Sequence, residues 1–179
     1  MKKVIVLSSS PRKVGNSDTL CDKFIEGAVS AGHEVEKIFI RDCNIHPCMG
    51  CGFCTHNDYS GCAKSDDMDG IMEHMMAADV IVFSTPVYFC TMTGQLKIFI
   101  DRLLSQYQRI TNKEYYLLIT AKNDTQEEIK FVLGEFKGVL SCFPGSVFKG
   151  YLFAGGVWHR GEINNTDYPQ RAFNLGKSI

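Results

Sequence analysis

Apolar and polar positions along the chain follow two periodicities in turn, and their order predicts five β-strands separated by helices. Continuous or alternating apolar runs predict strands at residues 3–7, 34–40, 79–84, 115–120 and 147–153. Apolar residues at helical spacing predict helices at 17–31, 67–78, 94–107 and 127–143, with a closing helix around 169–175. Strands that alternate with helices imply right-handed crossovers. The fold class predicted is therefore α/β, a doubly wound five-stranded parallel sheet with helices on both faces.

One long irregular stretch interrupts this order after the second strand. Residues 42–65 contain Pro47, three glycines and a group of clustered cysteines. Loops of this length in a compact domain are usually functional. No repeat, low-complexity segment or linker divides the remainder. We therefore expect a single domain over residues 1–179, with a cysteine-rich loop at 43–65 inserted after strand 2.

Composition and charge narrow the classes of partner. The 179 residues are 45% hydrophobic and 22% charged, and the net charge is -1 without a dense Lys/Arg run. We therefore expect a small molecule as the partner, and neither nucleic acid nor a membrane surface.

Only four apolar residues follow Lys3 before a polar segment, which is too short for a signal-peptide core. No apolar stretch has membrane-spanning length, so we expect a cytoplasmic protein.

The segment after the first strand has the composition of an anion-binding loop. A parallel sheet binds ligands beyond the carboxyl ends of its strands, where the strand order reverses. The loop supplies hydroxyl, amide and backbone donors at a helix N-terminus, and Arg12 adds a fork of donors suited to phosphate. The alternative is a polar turn in which Asn16 or Ser17 caps the helix. The loop runs from Ser8 to Ser17 and leads directly into the first helix.

Two other phosphate-binding loops are absent from this segment. It has no G-x-x-x-x-G-K-[ST] motif, which argues against nucleoside-triphosphate hydrolysis. It has no G-x-G-x-x-G motif, which argues against a dinucleotide pyrophosphate turn. A ligand with a single phosphate group fits the loop better.

Three segments together resemble the NADPH-dependent FMN reductase branch of the flavodoxin-like superfamily. They are Ser8-x-Ser10-Pro11-Arg12-x-x-Gly15-Asn16-Ser17, Thr85-Pro86-Val87-Tyr88-Phe89, and Gly94-Gln95-x-Lys97-x-Phe99-x-Asp101-Arg102. The resemblance has distinctive motifs from residue 3 to about 105 and continues as a fold pattern to about 155. It implies a flavodoxin-like fold, FMN as cofactor and NADPH or NADH as reductant.

The resemblance also implies which loops contact the cofactor. The first loop would hold the FMN phosphate through Ser8, Ser10, Arg12, Gly15, Asn16 and Ser17. The loop after the third strand would line the isoalloxazine ring. The alternative for the aromatic side chains of that loop is packing in the core or a subunit interface. Because the flavin carries the reaction, no protein acid or base is expected. Trp158 and His159 are further candidates for this pocket or for the surface. The expected flavin-lining residues are Thr85, Pro86, Val87, Tyr88 and Phe89, with Thr120 and Ala121 as a third wall.

The clustered cysteines are the most metal-like feature of the sequence. Cys48, Cys51 and Cys54 are spaced C-x-x-C-x-x-C, and Cys62 follows after seven residues. This spacing suits one cubane cluster, whereas zinc usually takes two separated C-x-x-C pairs. The motif resembles that of the iron–sulfur flavoproteins, which implies a [4Fe–4S] cluster. Free or redox-switching thiols and zinc remain open as alternatives.

The predicted function is an FMN-dependent NAD(P)H oxidoreductase that reduces quinones, nitro or azo compounds, or free flavin. The alternative is an electron-transfer protein in which FMN and a [4Fe–4S] cluster relay electrons from a ferredoxin-like partner. A third interpretation is a thiol-based redox or metal sensor. It would use only the cysteine loop and would bind no flavin. The resemblance further implies a homodimer or higher homo-oligomer, with the helix at 94–107 and Phe89 as contact surfaces.

Overall fold

Five strands form the central sheet, and helices pack on both of its faces. The computed structural model describes the backbone of residues 1–179 and the side chains of all residues except 126 and 128. The strands are β1 (Lys3–Ser8), β2 (Glu34–Phe39), β3 (Val80–Pro86), β4 (Glu114–Thr120) and β5 (Val147–Ala154). The helices are α1 (Asn16–Ser30), α2 (Phe53–His56), α3 (Met68–Ala77), α4 (Gly94–Arg102), α5 (Gln126–Leu140) and α6 (Tyr168–Lys177).

The strand order in the sheet is β2-β1-β3-β4-β5, and every neighbouring pair is parallel. The chain therefore starts in the middle of the sheet, adds β2 on one side and then builds β3 to β5 on the other. The order reverses between β1 and β3, so the loops that follow these two strands diverge and leave a crevice. This topology confirms the predicted doubly wound, flavodoxin-like sheet.

Alternate residues of the strands enter two separate hydrophobic cores. In β1, Ile5 and Leu7 pack beneath α3, α4 and α5, whereas Val4 and Val6 pack beneath α1 and α6. Both faces of the sheet are thus buried, which explains why β3 is apolar without alternation. The methionines of α3 are core residues, as the sequence suggests, since Met72 and Met75 are fully buried.

Two glycines allow α1 and α6 to pack backbone against backbone. A Cβ atom at Gly27 would lie 2.0 Å from the carbonyl oxygen of Phe173, and one at Gly176 would lie 2.0 Å from that of Phe24. Neither position can hold a larger residue unless the helices separate. The last helix is therefore tightly attached to the first, whose N-terminus lies at the carboxyl edge of the sheet.

The structure differs from the predicted helices at three places. The helix predicted at 127–143 ends at Leu140. The helix predicted to reach residue 107 ends at Arg102 and continues as 3₁₀ turns at Leu103–Ser105 and Tyr107–Arg109. The Ser105 hydroxyl donates to the Arg102 carbonyl at 3.0 Å, and Gln106 leaves the helical conformation with φ -149° and ψ 16°. The loop predicted as irregular contains the short helix α2.

Among the described residues, no helix combines the length and the apolar character needed to cross a bilayer.

Candidate functional site

A pocket lies at the carboxyl edge of the sheet, at the crevice that the strand order creates. It is lined by the loops that follow β1, β3, β4 and β5, so four separate segments converge there. Ten of the thirteen residues predicted to contact the cofactor line this pocket: Ser10, Arg12, Gly15, Asn16, Ser17, Pro86, Val87, Tyr88, Thr120 and Ala121. Lys122, Val157 and Trp158 complete the lining.

The N-terminus of α1 supplies backbone donors to this pocket. Gly15 is the N-cap in an extended conformation, and no side chain caps the helix. Asn16 and Ser17 therefore do not act as caps, contrary to the alternative drawn from the sequence. The Ser17 hydroxyl instead lies 2.7 Å from the Thr120 hydroxyl, which joins the first and third loops. The first-turn amides of a 15-residue helix and its dipole favour an anion at this position.

Asp18 and Arg41 support the loop after β1 from beneath. The Asp18 carboxylate accepts hydrogen bonds from the Ser8 hydroxyl at 3.0 Å and from the Val14 amide at 2.9 Å. Arg41 forms an ion pair with Asp18 at 3.1 Å and donates to the Ser10 carbonyl, also at 3.1 Å. The structure thus places the Ser8 side chain below the loop and outside the pocket. Arg41 lies after β2 and belongs to no sequence motif, so nothing in the sequence marks it as part of this site.

The loop after β3 presents its first residues to the pocket and turns its tip away. The Val87 amide donates to the Thr120 carbonyl at 2.8 Å, which fixes Val87 and Tyr88 at the pocket wall. Tyr88 and Thr91 exchange two backbone hydrogen bonds of 3.0 and 3.1 Å around the tip. Phe89 and Cys90 occupy that tip with positive φ values of 51° and 63°. The Phe89 side chain is therefore fully exposed and does not line the pocket.

Thr85 is also outside the pocket, because it is buried under the same loop. Its hydroxyl accepts the Thr93 amide at 3.1 Å and donates to the Pro86 carbonyl at 2.9 Å. The Thr93 hydroxyl in turn caps α4 by accepting the Leu96 amide at 3.3 Å. Thr85 therefore shapes the loop rather than offering a group to a ligand.

The loop after β5 closes one side of the pocket. Arg12 donates to the Trp158 carbonyl at 2.8 Å, and its guanidinium lies 5.1 Å from the centre of the indole ring. The Lys122 ammonium lies 5.4 Å from the same ring. Asn16 binds the loop at both ends, donating to the His159 carbonyl at 2.9 Å and accepting the Gly161 amide at 3.0 Å. Trp158, left undecided from the sequence, is thus a wall of the pocket.

The Glu162 carboxylate keeps the Trp158 loop in shape. It accepts the amides of Trp158 and His159 at 2.6 and 2.8 Å. These two hydrogen bonds lower the pKa of Glu162, so the group is ionised at neutral pH. The loop therefore brings one negative charge close to a pocket whose other charged groups, Arg12 and Lys122, are positive.

The four clustered cysteines line a second concavity of about 390 Å³, together with Arg102 and Leu104. Cys48 and Cys51 are exposed, whereas Cys54 and Cys62 are half-buried. Gly50 and Gly52 have φ values of 63° and 73°, a left-handed conformation that glycine adopts without steric cost and that turns the chain sharply between the cysteines. Among the described residues, no three His, Cys, Asp or Glu side chains are arranged to hold a metal ion.

The donor set of this concavity suits a group larger than a single ion. The four thiols line one concavity, and among the described residues no three of them are grouped as ligands of one ion. The C-x-x-C-x-x-C spacing is of the type whose thiolates bind an iron–sulfur cluster. Arg102, which is 2% exposed, also lines the space, and its Nε atom is buried without a hydrogen-bond partner. The same side chain interacts with the Cys62 thiol through its charge and a hydrogen bond, so a cation and N–H donors are placed where an anionic sulfur group fits.

The fold and the pocket define a flavodoxin-like α/β protein with a pocket at its topological switch point. The chain belongs to the NADPH-dependent FMN reductase family, whose model matches residues 2–130. It is therefore an oxidoreductase of a flavin-dependent family. The motifs that indicated this family in the sequence all lie inside the matched range.

Individual proteins extend this assignment. The chain is 34% identical over 180 residues to an iron–sulfur flavoprotein of Archaeoglobus fulgidus, covering 99% of this chain and 78% of that protein. It is 39% identical over 100 residues to an iron–sulfur flavoprotein of Methanosarcina thermophila, covering 56% of this chain and about half (51%) of that relative's length. The NAD(P)H:quinone oxidoreductase structure from Methanothermobacter marburgensis has a TM-score of 0.78 at 17% identity, covering 99% and 95% of the two chains. The last comparison supports the fold alone.

Proposed function

We propose that this protein binds FMN in the pocket at the switch point and transfers electrons from NADPH or NADH to a small-molecule acceptor. The acceptor classes proposed are quinones, nitro or azo compounds, and free flavin. The observation that carries the proposal is the convergence of ten predicted residues from three loops on one pocket. Segments so far apart in sequence meet there only because the sheet brings their strand ends together.

The FMN phosphate would bind at the N-terminus of α1. Arg12 offers a guanidinium fork, Ser10 and Ser17 offer hydroxyls, and the first-turn amides offer backbone donors. Arg12 donates to the Trp158 carbonyl in the structure, so phosphate would compete for this side chain. Asp18 and Arg41 would keep the loop in place while Arg12 changes partner.

The isoalloxazine ring would lie between the loops after β3 and β4. Tyr88 offers an aromatic face, and Val87 is fixed by its hydrogen bond to Thr120. Trp158 offers a second aromatic wall. When bound, FMN supplies the hydride and electron chemistry. The residues of this chain bind the cofactor, orient it and limit the access of water, and no side chain is assigned a proton-transfer role.

We further propose that Cys48, Cys51, Cys54 and Cys62 hold a [4Fe–4S] cluster. Their common concavity and the unpaired Nε of Arg102 support this, as does the similarity to relatives named iron–sulfur flavoproteins. α4 connects the two sites, since it begins beside the flavin loop at Thr93 and ends at Arg102. Its nine residues separate the two ends by about 13 Å.

The second candidate function is an electron-transfer protein that takes electrons from a ferredoxin-like donor. The cysteine concavity favours it, because two of the four thiols are exposed and accessible to a protein partner. Reduction of bound flavin by a nicotinamide nucleotide alone supports the first function. Reduction only by a protein donor supports the second.

We also propose that residues 1–179 act as one FMN-binding domain and associate as a homodimer or higher homo-oligomer. The five strands of one sheet and the close packing of α6 on α1 support the single domain. Exposed Phe89 and Leu104 support self-association. Light scattering after gel filtration tests the oligomeric state, and a monomer at all concentrations contradicts it.

Binding of FMN and of riboflavin, which lacks the phosphate, tests the pocket assignment. We expect FMN to bind at least tenfold more tightly, with quenched fluorescence, and Arg12→Met to remove most of that difference. Lys13→Met is the matched control, because its side chain is 74% exposed and does not line the pocket. Equal affinity of the wild-type protein for both compounds would overturn the phosphate site.

A further inference from the structure

A buried ion pair joins the cysteine loop to the end of α4. The side chains of Arg102 and Asp66 are 1% and 0% exposed. The guanidinium contacts both carboxylate oxygens, with Nη1 at 2.6 Å and Nη2 at 3.0 Å. Nη1 also donates to the His46 carbonyl at 2.8 Å. This two-point geometry fixes the plane and the direction of the guanidinium.

The same pair holds both ends of the cysteine loop. The Asp66 carboxylate accepts the His46 amide at 3.0 Å and the Met68 amide at 3.2 Å. His46 precedes Cys48 closely, and Asp66 follows Cys62 closely. The ion pair thus lies at the neck of the loop that carries all four thiols.

The two charges of the pair are placed unequally with respect to the thiols. Arg102 lines the cysteine concavity, whereas Asp66 does not. The Arg102 side chain interacts with the Cys62 thiol through its charge and through a hydrogen bond. Its buried Nε atom has no partner of regular hydrogen-bond geometry. Positive charge and N–H donors therefore border the space on the side of Cys62, and the compensating carboxylate lies behind them.

We propose that Arg102 is a positioning residue that directs its Nε–H and its positive charge at an iron–sulfur cluster bound by the four cysteines, and that it raises the reduction potential of this cluster. The inference rests on the proposed function of the cysteine loop. A cluster held by thiolates is anionic and gains a further negative charge when it accepts one electron. A nearby cation and a hydrogen bond to sulfur stabilise this reduced form more than the oxidised one. The step moves one electron from an external reductant, and it makes or breaks no bond.

The sign of the effect separates this role from a merely structural one. Loss of the positive charge favours the oxidised cluster and lowers the potential. Loss of the Asp66 charge leaves the positive charge of Arg102 less neutralised, so the reduction potential of the cluster rises. A pair that only holds the loop together would not shift the potential in opposite directions in the two variants.

The test uses the full chain, loaded anaerobically with iron and sulfide and with FMN. Potentiometry follows the cluster and the flavin separately, and iron and sulfide are counted per chain. The variants are Asp66→Asn and the double variant Arg102→Gln/Asp66→Asn, whose two neutral amides can still hydrogen-bond. Lys97→Gln is the matched control, since Lys97 is a 57% exposed cation on the same helix and does not line the concavity.

For the double variant, we expect the one-electron equilibrium to shift about tenfold toward the oxidised cluster, about 59 mV lower. We expect a shift in the opposite direction for Asp66→Asn. Lys97→Gln should leave the cluster unchanged, and the flavin potential should be equal in all proteins. If the double variant fails to fold or to take up the cluster, the direction of the potential shift in Asp66→Asn tests the inference by itself.

Three results would overturn the inference. Equal cluster potentials in wild type and variants would leave Arg102 with a structural role alone, as would loss of the cluster from both variants. A wild-type protein that takes up FMN but no iron would overturn the inference and the cluster assignment together. The FMN assignment would stand in that case, because the comparison with riboflavin tests it separately.

Discussion

Arg41 and Asp18 form an ion pair of 3.1 Å beneath the phosphate loop, and their side chains are only 8% and 6% exposed. The two residues come from different elements, since Asp18 lies in the first turn of α1 and Arg41 follows β2. Arg41 also donates to the carbonyls of Ser10 and Arg12 at 3.1 and 3.3 Å. The shape of the anion-binding loop therefore depends on a residue that need not contact the ligand.

Replacing Arg41 by methionine should weaken FMN binding at least tenfold. The substitution leaves the buried Asp18 charge unpaired, which should cost about 3–5 kcal/mol of stability. Fluorescence binding and urea unfolding measure the two effects. Asp22→Asn is the control, because its pair with Lys37 at 2.7 Å has a 59% exposed carboxylate and should cost about 0–1 kcal/mol. Unchanged FMN affinity in Arg41→Met would contradict this supporting role.

Asp66 should make the stability of the protein depend on acid pH. Burial alone would raise the pKa of this carboxyl, but hydrogen bonds from Arg102, His46 and Met68 lower it below the usual value. A pKa lowered on folding stabilises the protein above the ordinary carboxyl pKa, and the gain is lost as pH falls through the folded value. At pH 7, Asp66→Asn should therefore be less stable by about 3–5 kcal/mol.

The difference between wild type and Asp66→Asn should shrink steadily below about pH 4. Urea unfolding of both proteins across the range from pH 7 to pH 3 measures it. Asp101→Asn, which removes a 46% exposed carboxylate from α4, should show no such trend. A wild-type advantage that stayed constant down to pH 3 would disprove the assignment.

Cys21 should resist alkylation in the folded protein. Burial raises the pKa of its thiol to about 11, despite the opposing charge of Lys37. At pH 8 the thiolate fraction is then on the order of one part in a thousand, and the reagent has no access. Mass spectrometry after iodoacetamide treatment should find exposed Cys142 modified and Cys21 intact until the protein unfolds. Equal labelling rates for the two in the native protein would refute this.

Gly176→Ala should destabilise the protein because α1 and α6 are in backbone contact there. The added Cβ would meet the Phe24 carbonyl oxygen at 2.0 Å, so the helices must move apart. We expect a cost of about 1–3 kcal/mol. Gly138→Ala is the control, since open space surrounds that position in α5, and it should stabilise by about 0.4–1 kcal/mol. Chemical denaturation measures both, and equal effects would contradict the packing argument.

The sheet, its flanking helices and most of the pocket follow directly from the sequence. Apolar periodicity locates the strands, and the rule for parallel sheets predicts which strand ends meet. The loop residues Ser10, Arg12 and Tyr88 are therefore found without a structure. Each lies shortly after the end of a strand, so the order of the strands in the sheet already predicts which other loops it will lie beside.

The residues that the sequence misplaces depend on conformation rather than on position along the chain. Ser8 ends a strand, and its side chain turns to Asp18 instead of to the pocket. Phe89 lies in a turn with two consecutive positive φ values, which directs its side chain away from the pocket. The turn contains no glycine, so the sequence does not indicate this conformation. Arg41 and Trp158 come from distant segments, and only the folded chain brings them to the loop.

The central claim is that the pocket holds FMN that a nicotinamide nucleotide reduces. The most direct test is an anaerobic absorption spectrum of freshly purified, FMN-loaded protein, recorded before and after addition of NADPH. We predict protein-bound flavin bands that bleach with NADPH at a rate faster than that of free FMN. A protein that takes up no flavin, or bound flavin that only dithionite or a protein donor reduces, would contradict the claim.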